Sequence, residues 1–132
     1  IIPVMTKKSK PGLNPVTAER SLCPISIGMD VFGDKWTMII LRDMLLGKSR
    51  YNEFLEGPEN IQTNILASRL KKLEQLGFVD RVLYQERPKR YQYVLKQRGR
   101  DMIPILHEVS KWSMKHSPGC WQPPERFWQL KP

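Results

Sequence analysis

An apolar stripe at helical spacing over Thr63–Leu76, two extended segments flanking a polar turn, and glycine-punctuated helices before them predict a mainly α domain with a small β-hairpin wing. The 132 residues bound the chain to one domain, with little left for a separate catalytic unit. With 40% hydrophobic and 27% charged residues, the chain is expected to fold. Its net charge of +9 makes a polyanion a candidate partner, either nucleic acid or an anionic membrane surface. The arrangement of the charges must decide between this and a merely basic protein.

Residues 1–16, with Lys7, Lys8, Lys10, Pro11 and Pro15, read as a mobile basic arm. The chain opens on Ile1, and Met5 is a candidate native start. The opening lacks the order of a signal peptide, and no apolar run approaches the ~20 residues of a membrane span, so no membrane partner and a cytoplasmic, nucleoid-associated place are expected. A first helix is expected from Pro24, proline being well suited to the first helical position, with Ile25, Met29 and Phe32 on one face. After Gly33-Asp34, Lys35–Leu46 reads as a second helix, anchored by Trp36, Ile39, Ile40 and Leu45 and ended by Gly47. Ser49 is a candidate cap for a short helix over Arg50–Glu56, with Tyr51, Phe54 and Leu55 inward, and Gly57-Pro58 breaks it.

The helix Thr63–Leu76 follows, with Ile65, Leu66, Leu70, Leu73 and Leu76 in its stripe and Gly77 at its end. Phe78–Tyr84 and Arg90–Lys96 read as strands joined by the turn Gln85–Lys89. A long helix over Arg98–His116 carries Met102, Ile105, Leu106, Val109 and Trp112, with Pro104 expected to kink it. Residues 17–117 thus form the domain, and 118–132 a Pro/Trp-rich tail with no assigned role.

A short helix, a tight break, an amphipathic helix and a hairpin make a winged helix-turn-helix. The major groove of B-DNA is about 12 Å wide and admits one helix, which must bury one face and offer the other to base edges. Thr63, Asn64, Ala67 and Ser68 lie opposite the leucine stripe and are the candidate base-reading residues. Asn64 can pair with adenine, Thr63 and Ser68 offer hydroxyls, and Ala67 permits close approach. Lys48, Arg50, Arg69, Lys71 and Lys72 are candidate phosphate contacts, as are Arg87, Lys89 and Arg90 around the hairpin turn. The plainer reading of Thr63–Leu76 is a solvated surface helix, and the basic hairpin behind it tips the balance.

The runs Cys23-Pro24-Ile25, Gly33-Asp34-Lys35-Trp36, Ile40-Leu41-Arg42, Arg50-Tyr51-Asn52-Glu53-Phe54, Leu66–Glu74, Gly77-Phe78-Val79 and Tyr91–Leu95 together resemble the HxlR-type regulators, relatives of the MarR group. The resemblance covers about Cys23–His116. It implies a homodimeric winged-helix protein that binds double-stranded DNA as repressor or activator. It further implies terminal dimerisation helices, here the segment before Cys23 and the helix 98–116. The family usually has a Ser or Thr capping the reading helix where Gln62 stands, so Thr63 either takes the cap or faces DNA.

Cys23 precedes Pro24 at a helix N-terminus, where the helix dipole favours thiolate. Some HxlR-type proteins use the matching cysteine as a redox or electrophile sensor, which makes Cys23 a candidate sensor and an oxidant or small molecule a candidate effector. The plainer reading is a buried small residue, and Cys120 is a candidate partner for it. His116 and Cys120 stand four apart, but two ligands make no metal site, and neither a metal nor another cofactor is expected. His107 is expected on a helix surface or an interface. The chain has no Gly-rich phosphate loop, nucleophile elbow or HExxH, so an enzyme is not expected. The competing functions are a regulator with a ligand pocket at the dimer interface, near Trp112 or Phe32, and a non-specific architectural or protein-interaction module.

Overall fold

A computed structural model describes residues 20–132; the basic arm expected over residues 1–16 lies outside them. Helix α1 is Pro24–Phe32, with proline in its first turn, where a missing N–H costs no hydrogen bond. Val31 is its buried residue, whereas Ile25 and Met29, two of the three residues placed together on one face, are 75% and 46% exposed. Helical spacing identifies an apolar face but does not say what covers it.

Helix α2 is Thr37–Leu45, starting later than Lys35 because Asp34 receives its first N–H groups. Trp36 N–H and Thr37 N–H both donate to Asp34 Oδ2 at 3.0 Å, and the Thr37 hydroxyl donates to Oδ1. Ile40, Leu41 and Met44 enter the core, while Trp36, Ile39 and Leu45 are half-buried. Gly47, at φ +109°, ends the helix in the left-handed region that glycine tolerates.

Helix α3, Tyr51–Phe54, is shorter than expected, and Ser49 does not cap it. Glu53 Oε1 accepts the N–H groups of Ser49 at 3.0 Å and Arg50 at 2.8 Å instead. Those donors hold the Glu53 carboxyl below its usual range. Helix α4 is Thr63–Gln75, with Leu66, Leu70 and Leu73 at most 1% exposed. Burying three leucines stabilises the fold by about 1.5–3 kcal/mol each, which fixes this face against the core.

Strands β1, Val79–Glu86, and β2, Lys89–Leu95, pair antiparallel from Val79 opposite Leu95 to Glu86 opposite Lys89, with an irregularity between Leu83 and Gln85. The connection is only Arg87-Pro88, tighter than the five-residue turn expected. The stretch before α3 also joins the sheet: Tyr93 N–H donates to Ser49 O at 2.8 Å, and Arg50 bridges to Gln92. The hairpin is thereby fastened to the entry of α3.

The single helix expected over Arg98–His116 is two, α5 (Gln97–Arg100) and α6 (Ile103–His116). Pro104 lies in the first turn of α6, so it opens a helix rather than kinking one. Met102, Ile103 and Leu106 are buried, while Ile105, Val109 and Trp112 form a stripe 36%, 46% and 66% exposed. The tail returns to the core through α7, Glu125–Trp128, whose Phe127 is 4% exposed. His107 Nε2–H donates to Phe127 O at 2.7 Å, and its ring lies 4.9 Å from that of Phe127 and 5.3 Å from that of Trp128. His107 is therefore packed within the chain, not spread on a surface. Among the described residues no helix is long and apolar enough to cross a membrane.

Candidate nucleic-acid interface

Helix α4 presents Thr63, Asn64, Ala67, Ser68 and Lys71 to solvent, on the face opposite its buried leucines. Gln62 is the N-cap residue, in extended backbone with no side-chain cap, and Thr63 is the first helical residue. The Thr63 side chain is therefore not the cap. Its carbonyl accepts the Tyr51 hydroxyl at 2.7 Å, which pins the start of α4 to α3. Short polar side chains at the exposed N-terminal turns of a supported helix suit base edges in a major groove.

The basic residues divide into two sets. Lys71, Arg87, Lys89 and Arg90 are exposed and make no side-chain hydrogen bond or ion pair with another described residue. Arg87 and Lys89 flank Pro88 at the hairpin tip, where Gln85 Nε2 donates to the carbonyls of Arg87 and Pro88 at 3.2 and 3.1 Å. Arg50 is also exposed, its guanidinium 4.1 Å from the Tyr84 ring centroid, so a cation rests over an aromatic ring of the wing.

The other three are engaged inside the chain. Arg69 Nε donates to Asp34 Oδ2 at 2.9 Å, Lys72 Nζ donates to Asp30 O at 3.2 Å, and Lys48 Nζ lies 3.9 Å from Asp43 Oδ2. Arg69 and Lys72 thus tie the back of α4 to the end of α1 and the α1–α2 turn. Burial opposes ionisation of Asp34, but the Thr37 hydroxyl, the N–H groups of Trp36 and Thr37, and Arg69 outweigh it and lower its pKa to about 2. A second tie supports the turn before α4: Arg42 Nη1 and Nη2 donate to the two Glu59 oxygens at 2.8 and 2.9 Å, and Asp43 Oδ1 accepts from the same guanidinium.

Sequence reasoning missed Asp34, Tyr51, Arg42 and Glu59, which hold α4 and the turn before it through internal contacts. Asp34 carried a signal, since Asp three residues before Thr37 is a helix-start pattern. The Arg42–Glu59 and Arg69–Asp34 pairs span 17 and 35 residues and have no local signature.

Cys23 occupies the N-cap position of α1 and is exposed, not buried. The backbone N–H groups of Ser26 and Ile25 hold its thiol below its usual pKa. Cys120 is half-buried, and both thiols are free.

A short helix, an amphipathic helix supported from behind and a basic two-stranded wing define a winged helix-turn-helix of the kind found in transcription regulators. Residues 31–119 match the HxlR-like helix-turn-helix family. The chain belongs to that family. It is 31% identical to the HTH-type transcriptional regulator sll1512 of Synechocystis sp., over 87% of this chain and 88% of the relative. The reduced form of the redox regulator HypR superposes with a TM-score of 0.66 at 33% identity, covering 72% of this chain and 94% of HypR. The reduced transcriptional regulator YodB from B. subtilis gives 0.62 at 26% identity, covering 76% of this chain and all of YodB, its share being 100%. These proteins are transcriptional regulators rather than enzymes.

Proposed function

We propose that the protein is a cytoplasmic, nucleoid-associated homodimer that reads a pseudo-palindromic operator and responds to oxidants or electrophiles through Cys23. The observation that carries the DNA-reading part is the solvent face of α4: Thr63, Asn64, Ala67 and Ser68 are exposed together, backed by Leu66, Leu70 and Leu73 and flanked by a basic wing. Lys71, Arg87, Lys89 and Arg90 supply phosphate contact, joined by Arg50 on Tyr84. Homodimerisation is supported by the apolar faces that α1 and α6 leave in water, Ile25 and Met29 on one and Ile105, Val109 and Trp112 on the other.

The sensing part is supported by the exposure and lowered pKa of Cys23 and by the redox-regulator neighbour HypR. A Cys23 thiolate that attacks an electron-poor alkene forms an S–C bond, and the displaced electron pair takes a proton from water. The adduct stays on Cys23, and the shift it imposes on the start of α1 reaches α4 through Asp30, Asp34 and their partners Lys72 and Arg69. Selection of bound sequences from a random DNA pool, with and without an electrophile such as methyl-p-benzoquinone, tests both parts. The expected result is a two-fold-symmetric motif that the quinone abolishes in the native protein but not in Cys23→Ser. A pool with no enriched motif would sink specific reading; equal quinone sensitivity in Cys23→Ser would sink the sensor.

A further inference from the structure

We propose that the cavity between the C-terminal segment and the α2–α6 pair is a binding site for a neutral, flat aromatic molecule of about two rings. The cavity holds about 400 Å³, within the size range of small-molecule sites. Met38, Ile39 and Leu46 form one wall, Leu106 another, and Trp121 and Pro123 close the third. That third wall lies beyond residue 119, where the family match ends. The site is separate from the DNA-reading face and from Cys23, and its existence does not depend on either.

Charge and shape define the class of ligand. Among the described residues Arg42 is the one charged residue lining the cavity, and its guanidinium is already shared between both oxygens of Glu59 and Oδ1 of Asp43. A ligand carboxylate would meet no free fork and two existing carboxylates, and an ammonium group would meet a guanidinium. A neutral molecule avoids both costs. Pro58, Pro123 and Pro124 offer rigid apolar faces, and Trp121, 80% exposed, leaves an indole in water at the mouth, ready to stack. Ser110 supplies direction: its hydroxyl donates to Leu106 O at 2.9 Å, leaving oxygen lone pairs as acceptors for one ligand N–H or O–H. The occupant also touches Pro58 and Arg42, which border and hold the turn before α4 through Glu59. An effect of occupancy on DNA affinity would rest on the regulatory reading above; the binding itself would not.

The probe is N-phenyl-1-naphthylamine, neutral and aromatic, titrated into the full chain and followed by its emission. The expected result is saturable binding of one molecule per chain. Trp121→Ala, at an exposed position, should weaken it by roughly three- to tenfold, the worth of one aromatic contact. Ser110→Phe, which fills the cavity, should abolish it. The sulfonated relative 1-anilinonaphthalene-8-sulfonate should bind more weakly than the neutral probe. The proposal is overturned if the neutral probe does not saturate, or if Trp121→Ala leaves its affinity unchanged. Loss of binding in Trp112→Ala with none in Trp121→Ala would place the probe on the outer stripe of α6 and overturn it as well. So would binding that disappears as protein concentration rises, since a second copy would then be the occupant. Should Ser110→Phe fail to fold, Trp121→Ala and the charged probe still decide the outcome.

Discussion

Asp34 joins the start of α2 to the back of α4 through one carboxylate, and its protonation should be visible as acid sensitivity. Its pKa is about 2 in the folded chain against an ordinary 3.8. A depressed carboxyl contributes stability that is fully present above about pH 4 and is lost as pH falls through about 2. The shift corresponds to at most about 2 kcal/mol, and partial solvent contact reduces it. Asp34→Asn should therefore lower stability to urea at pH 7 by about 1–2 kcal/mol, and the difference from the native chain should shrink towards pH 2. A difference that does not change with pH would mean that the ionised form is not the one that matters. Asn64 stands on the opposite face of α4, with no internal partner among the described residues. Asn64→Ala should leave stability unchanged and relax preference at one base position by about 1–3 kcal/mol. Sequence selection on the variant checks this, and an unaltered motif would remove Asn64 from the reading face.

The elements differ in how plainly the sequence announced them. Helix α4 and the hairpin were legible because each has a strong period and a glycine or proline at its edge. Gly47 and Gly77 stop helices with φ of +109° and +77°, as their positions predicted. Pro104 was misjudged: a proline near the start of an apolar run can kink a helix or open one, and only the Asp101-Met102 break separates the two cases. Phe127 was invisible because a four-residue helix in a Pro-rich tail has no periodicity to detect. The role of the basic residues depended on long-range pairing, so Lys71 and the wing cations remain available while Arg69 is bound to Asp34. Arg87→Ala with Lys89→Ala should weaken binding to all DNA sequences alike and make the log–log salt dependence shallower by about 1–2. Arg69→Ala should instead lower thermal stability while changing that slope little. Salt titrations of the two variants distinguish a phosphate contact from an internal tie.

Among the described residues, apolar side chains stand in water on the outer faces of α1 and α6, at the mouth of the α2–α6 cavity, and on the hairpin at Val82, Leu83 and Val94. The sequence identified Ile25, Met29, Val109 and Trp112 as apolar and periodic, but a single chain cannot tell its own core from an interface with a copy of itself. Replacing Trp112 by Glu should place a charge in the proposed dimer contact. Sedimentation should then show a monomer with an unchanged helical spectrum and a large loss of affinity for a two-half-site operator. A dimer that survives in Trp112→Glu would move the contact elsewhere. In the proposed dimer the half-sites should lie about 34–36 Å apart, one DNA turn.

The bond from Tyr93 N–H to Ser49 O and the Tyr51 hydroxyl on Thr63 O fasten wing, α3 and α4 into one block. A block of that kind works as a caliper. If α4 and the wing both dock on DNA as proposed, the distance between them is set before DNA arrives, and a duplex whose groove width or twist departs from that gauge should itself be deformed to fit. Discrimination should then extend to base pairs that no side chain touches, through the stiffness of the DNA between the two jaws.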